Sequence, residues 1–293
     1  MRSLRSLSFK RSLCDLVSTG ACGFLVSGNP FGLPVSTQPA AAGSNAATPL
    51  YSLLIPYLMN PNASEISVKS QSLALSALMT KVYLWMTLAL GITALSAMFV
   101  AGNLSLVEAI FGNDVLLWGI LIAQIAIVIT LDSRIDRLSF LIAGLLFGLY
   151  ALLNGVILSC IFLVFKMDVI TQAFVATTGT FGAMSLIGTF IKKDLSAIGR
   201  FCFMALIGLI VATIVNIFWT NDTLYWAITY LGVLIFCGLT AYDTQKIRRM
   251  MIECSTPDHY EVGMKLALLG SLALYLDFVN MFLYLVRLFG RRR

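Results

Sequence analysis

The sequence predicts an all-α polytopic membrane protein, a bundle of seven transmembrane helices. Of its 293 residues 59% are hydrophobic and only 12% are charged, with a mean hydropathy of +0.89, a composition that suits lipid better than a water-facing domain. Seven apolar runs are each long enough to cross about 30 Å of hydrocarbon as a helix. The runs are continuous, whereas a transmembrane barrel would show short segments with a period of two.

Residues 1–80 stand apart from these runs. Pro30, Pro34 and Pro39 lie among Ser, Gly and Ala, which argues for disorder. The opening MRSLRSLSFKRSL is rich in Arg and Ser and has no acid before Asp15. It resembles a transit peptide and lacks the apolar centre of a secretory signal. A translation start at Met59 is the alternative, making the preceding residues an artefact of the gene model. The crossings are expected at 82–101, 115–131, 140–164, 169–191, 201–219, 224–242 and 264–288. The chain therefore divides into an N-terminal extension (1–80), one membrane domain (81–290) and a basic tail, Arg291, Arg292 and Arg293 (291–293).

The net charge of +6 would suit nucleic acid, but its distribution speaks for topology. With the N-terminus cytoplasmic, 15 of the 20 basic residues fall on the inner side. Lys166 is the one basic residue in the outer connections between crossings. This is the positive-inside bias, and no nucleic-acid partner is expected. The C-terminus runs against it: Arg287 and the tail arginines lie outside after seven crossings, unless the last segment does not span.

Cys14, Cys22, Cys160, Cys202, Cys237 and Cys254 form no CxxC, and His259 is the only histidine; no zinc site or cofactor is expected. Asn103 opens an N-x-S sequon. On the third crossing Gly144 and Gly148 form a GxxxG, and on the fourth Gly179 and Ala183 lie four apart. Such spacing lets helix backbones approach in lipid. Asn154, Thr177, Thr178, Thr180 and Ser185 serve either interhelical hydrogen bonds or a wet passage.

Two acids carry the functional reading, Asp243 at the edge of the sixth crossing and Asp277 inside the seventh. A carboxylate at the middle of a membrane helix costs roughly 2.5–3.5 kcal/mol on insertion scales, so such acids face a partner, a cavity or an ion path. The other twelve acids are read into loops or the N-terminal segment. Two carboxylates brought together in a low dielectric cannot both ionise cheaply and titrate as a pair.

Three segments carry a more specific likeness: GLTAYDTQKIRR at 238–249, SLALYLDFVNMFLYLVRL at 271–288, and KKDLS at 192–196 between the fourth and fifth crossings. NGVILS of the third crossing and NIF at 216–218 fit as well. From about residue 81 to 290 the chain resembles the Bax-inhibitor family (transmembrane Bax inhibitor motif proteins), including its bacterial calcium-leak members. The resemblance implies a seven-helix bundle of that type in the bacterial inner membrane, an organelle membrane being the alternative. It also implies that Asp243 and Asp277 are the hydrogen-bonded pair that senses protons and controls a calcium leak, with calcium as permeant ion and transient ligand of the two carboxylates. An arginine latching the pair would be Arg134 or Arg137 in LDSRIDRLS, with Asp132 or Asp136 as local neutralisers instead. Asn280 and Tyr284, three and seven residues after Asp277 on its own face, either orient that carboxylate or satisfy each other.

Two further classes stand beside the channel. A membrane regulator would bind a protein partner such as a membrane protease or cell-death factor. An intramembrane aspartyl protease would use two helix aspartates, but its GxGD element is missing, since Asp277 sits in LYLDF; an enzyme is therefore not expected. If Asp243 instead closes its helix, it simply pairs with Lys246, Arg248 or Arg249.

Overall fold

The computed structural model describes residues 61–135, 137–219, 221–254 and 260–290, so the expectations for residues 1–60 and for the tail fall outside the described residues. Among the described residues there are eight helices and no strand. They are α1 (Pro61–Ala101), α2 (Leu104–Gly112), α3 (Asp114–Arg134), α4 (Phe140–Val164), α5 (Met167–Phe190), α6 (Ser196–Phe218), α7 (Asp222–Glu253) and α8 (Tyr260–Phe289). All but α2 are long and apolar enough to cross a membrane, which makes the protein an all-α polytopic membrane bundle.

Local chemistry sets several helix ends. Asn113 and Asn221 accept hydrogen bonds from the first backbone N–H groups of α3 and α7, and Ser139 does so for α4, replacing partners those groups lack inside the helix. Asp114, Asp168 and Asp222 occupy the first turns of α3, α5 and α7, where a negative charge meets the positive end of the helix dipole. Alternate crossing puts these three acids at one end of the bundle and Arg134, KKDLS and Lys246 at the other.

Three helices outrun their apolar cores at the KKDLS end. α1 starts at Pro61, twenty residues before the expected membrane domain, α7 continues ten residues past Asp243, and α8 begins at Tyr260. Proline is well placed in a first helical turn because its missing N–H would have no intrahelical partner there. The nine-residue α2 between α1 and α3 is an addition to the expected order and buries none of its residues.

α8 is the axis of the bundle. From Leu266 to Arg287 every side chain except Phe282 is buried, because α1, α4, α5 and α7 surround it, while α3 leans on α4 and α6 on α7. Phe147 and Tyr150 of α4 meet Tyr275 edge-on with ring centroids 5.8 and 5.9 Å apart, and Phe174 and Phe181 of α5 meet Phe278 at 5.9 and 5.4 Å. The outer helices expose Leu95, Phe99, Val115, Leu141, Phe190 and Phe201, an apolar coat that suits a lipid solvent. α8 is long enough to span, and Arg287 near its C-terminal end is tucked inside, 5.6 Å from the Tyr284 ring. It is not an exposed charge opposing the topology.

Small residues set the closest helix contacts, though not all where spacing suggested. Gly144 of the GxxxG packs on Trp85 of α1, where a Cβ would come within 3.3 Å of the indole. Gly179 has nothing within 4 Å of where a Cβ would stand, and both it and Ala183 are exposed. The close contact on α5 is instead Gly188, where an added Cβ would collide with the backbone carbonyl of Ala241 on α7. Spacing of four does not say which face of a helix turns inward.

Candidate functional site

Antiparallel packing of α7 on α8 fixes the relative height of the two acids. A Cβ on Gly232 would lie 2.5 Å from the Tyr284 ring, and one on Gly270 would lie 3.1 Å from Ile247. Interpolating between those contacts puts Asp277 level with Thr240. Asp243 is then one turn, about 4.5 Å, nearer the KKDLS end. Neither helix ends at the pair: α7 runs on to Glu253, with Lys246 in the field of Asp243 as the alternative reading expected.

Both carboxylates are buried, Asp243 at 9% exposure and Asp277 at 5%, and they lie within electrostatic reach of each other. The Thr240 hydroxyl neighbours Asp277 while donating to the Phe236 carbonyl at 2.8 Å. Asp277 Oδ2 is buried and has no hydrogen-bond partner among the described residues. The hydrogen bond expected between Asp243 and Asp277 is not among those of the described residues; the two acids interact through their charges.

The other expected site residues fall elsewhere. Arg134 closes α3 and Arg137 lies in the following turn, both exposed. The basic neighbour in Asp243's field is half-buried Lys246, one turn along the same helix. Asp132, expected in a loop, is part of α3 and shares Lys246 with Asp243. Asn280 and Tyr284 are buried on α8 below Asp277. Tyr284 stacks on Phe236 at 5.9 Å, and its hydroxyl has no hydrogen-bond partner among the described residues, so it neither orients the carboxylate nor satisfies Asn280.

Two polar clusters flank the pair, and one of them includes Asn154, which the sequence offered for an interhelical hydrogen bond. Two residues before Asp277, the buried Tyr275 hydroxyl accepts from Asn154 Nδ2 at 2.8 Å and lies 2.7 Å from Thr93 Oγ1, joining α8 to α4 and α1. Two residues after Asp243, buried Gln245 accepts the Leu195 N–H at 2.9 Å and donates to the Lys193 and Ile191 carbonyls at 2.9 and 3.3 Å. Arg249 donates to the same Oε1 at 2.9 Å and pairs with Asp194 at 3.0 Å. Ser196 gives Asp194 its hydroxyl and N–H, and with Arg249 holds that carboxyl below the usual carboxylate range. Asp194 therefore remains ionised through neutral pH and is not the group that switches there.

No group of three or more His, Cys, Asp or Glu side chains suited to a metal occurs among the described residues. Calcium prefers six to eight oxygen ligands, more than the carboxylates of Asp243 and Asp277 supply by themselves.

Comparison with known proteins follows the same segments. The profile described as "Inhibitor of apoptosis-promoting Bax1" matches residues 75–293. The chain is 46% identical over 227 residues to "Inner membrane protein YbhL" of Escherichia coli K12, spanning 78% of this chain and 97% of that one. Proteins of Deinococcus radiodurans (39% over 214 residues, 73% of this chain and 90% of that one) and Borreliella burgdorferi (38% over 229 residues, 78% and 95%) are similar along most of their lengths. On the extent of these matches, the chain belongs to the Bax-inhibitor family.

Proposed function

We propose that the protein is a pH-sensitive calcium leak channel gated by protonation of the Asp243–Asp277 pair. The observation that carries this reading is a carboxylate oxygen, Asp277 Oδ2, buried without a hydrogen-bond partner among the described residues and within reach of a second buried acid. A proton kept on the pair leaves at most one charge between α7 and α8 at that level. Its loss leaves two like charges in a low dielectric, and their repulsion favours an arrangement in which the helices separate and water enters. Lys246 moderates the charge on Asp243 in this chain, a role the resemblance had assigned to Arg134 or Arg137. Calcium is the permeant cation for which paired carboxylates are suitable hard ligands.

The charge asymmetry supports a cytoplasmic KKDLS end, and with it a cytoplasmic N-terminus. The inner-membrane description of the YbhL relative supports a bacterial inner membrane. The test is calcium flux into liposomes holding the purified full chain, compared at two pH values on either side of neutrality. The expected result is flux above empty liposomes that changes with pH; flux absent, or equal at both values, would overturn the reading.

A further inference from the structure

We propose that Gln245 is the positioning residue that sets how Asp243 meets Asp277, by tying α7 to the α5–α6 loop, an inference that rests on the proton-pair reading above. Its buried amide spends both ends on backbone groups of that loop: Oε1 on the Leu195 N–H, Nε2 on the Lys193 and Ile191 carbonyls. Those partners also fix the orientation of the amide, since a flip would set donor against donor and acceptor against acceptor.

The surrounding segment of α7 is gripped from the same side. Gly188 of α5 admits the Ala241 carbonyl, Gly199 of α6 faces the Tyr242 ring, and Gly238 lies against Cys202 of α6. α8 is bound to other neighbours, through Tyr275 to Thr93 of α1 and Asn154 of α4, and it meets α5 through aromatic rings. Tyr275 thus holds α8 to α1 and α4, while Gln245 holds α7 to the α5–α6 loop; a further bond, from Thr244 to Ser185 at 3.4 Å, joins α7 to α5, and Ser185 meets Tyr83 of α1 at 2.6 Å. Releasing α7 from the loop leaves the Tyr275 anchor of α8 in place, so the spacing of the acids changes. For charges about 4 Å apart at an effective dielectric near 20, a change of about 1 Å moves a titration by about half a pH unit.

Other groups facing the pair are Lys246 of α7, with Asp132 of α3 behind it, Tyr242 beside Asp243, and Cys202 of α6 beside Asp277. Arg200, Arg249 and Asp194 act on Tyr242 from the loop end. None of these is removed by substituting Gln245.

The test is an infrared titration of the protonated-carboxyl band of the full chain in lipid nanodiscs, the band being assigned by its loss in Asp277→Asn. Gln245→Leu is expected to move its midpoint by about half a pH unit or more. Gln245→Asn, which keeps the amide but withdraws it by one methylene, should move it less and serves if the leucine variant does not fold. Lys192→Gln removes an exposed charge from the same loop and leaves every bond of Gln245 in place, so its midpoint should match the wild type. An unchanged midpoint in both Gln245 variants would overturn the proposal, as would an equal shift in Lys192→Gln. A wild-type chain with no Asp277-dependent band would instead remove the proton pair on which the proposal rests.

Discussion

Replacing Gly188 by alanine should destabilise the protein, while the same replacement at Gly179 on the same helix should not. At Gly188 the new methyl would collide with the Ala241 carbonyl and come within 3.0 Å of Thr244 Cβ. Neither obstacle is the far end of a flexible side chain, so α5 and α7 must part by about 1 Å to restore ordinary contact. Overpacking of this kind costs about 1–3 kcal/mol. At Gly179 nothing lies within 4 Å, and alanine gains up to about 1 kcal/mol of helix propensity. The two variants should therefore differ by about 2–4 kcal/mol. At roughly 2–4 °C per kcal/mol for a chain of this size, Gly188→Ala should melt at least about 4 °C below Gly179→Ala. The assay is thermal unfolding of both variants in the same detergent micelle. Equal melting temperatures would refute the close approach of α5 to α7, and with it the grip on the segment that carries Asp243.

Tyr275→Phe removes a hydroxyl engaged by Thr93 and Asn154; at about 0.6 kcal/mol on average per membrane hydrogen bond, a loss of about 1 kcal/mol should appear as a melting point lower by about 2–4 °C, with the pH response of flux intact. Lys246→Met takes from Asp243 its nearest positive neighbour, so the pH midpoint of the leak should move upward, whereas Arg134→Ala and Arg137→Ala, both exposed, should leave it in place; flux titrations of the three variants decide. For topology, impermeant thiol labelling from outside intact cells should mark Asn103→Cys and spare Ser196→Cys, and the opposite pattern would invert the bundle.

The sequence reveals a helix best where its apolar run and its caps coincide. α4 has the expected bounds, 140–164, because Ser139 caps its start and the apolar stretch ends with it. α7 was legible only as far as its hydropathy, since Asp243 breaks the apolar run without breaking the helix; Thr, Gln, Lys and Arg continue it through Glu253. α2 is too short to announce itself as a crossing. The aspartates stood out because acids are rare in lipid. Lys246, one turn from Asp243 on the same helix, was legible too, whereas Gln245 and Asp132 were not, because they meet their partners across loops and helices that no local pattern pairs. Gly188 shows the same limit, a single glycine whose importance depends on the carbonyl of a helix more than fifty residues away.

The most direct measurement is calcium flux at two pH values in liposomes containing the wild type, Asp243→Asn or Asp277→Asn, with each protein first shown to be folded. The shared proton requires both carboxylates, so the wild type should respond to pH and each variant should lose most of that response. Variants that respond to pH as the wild type does would contradict the aspartate gate.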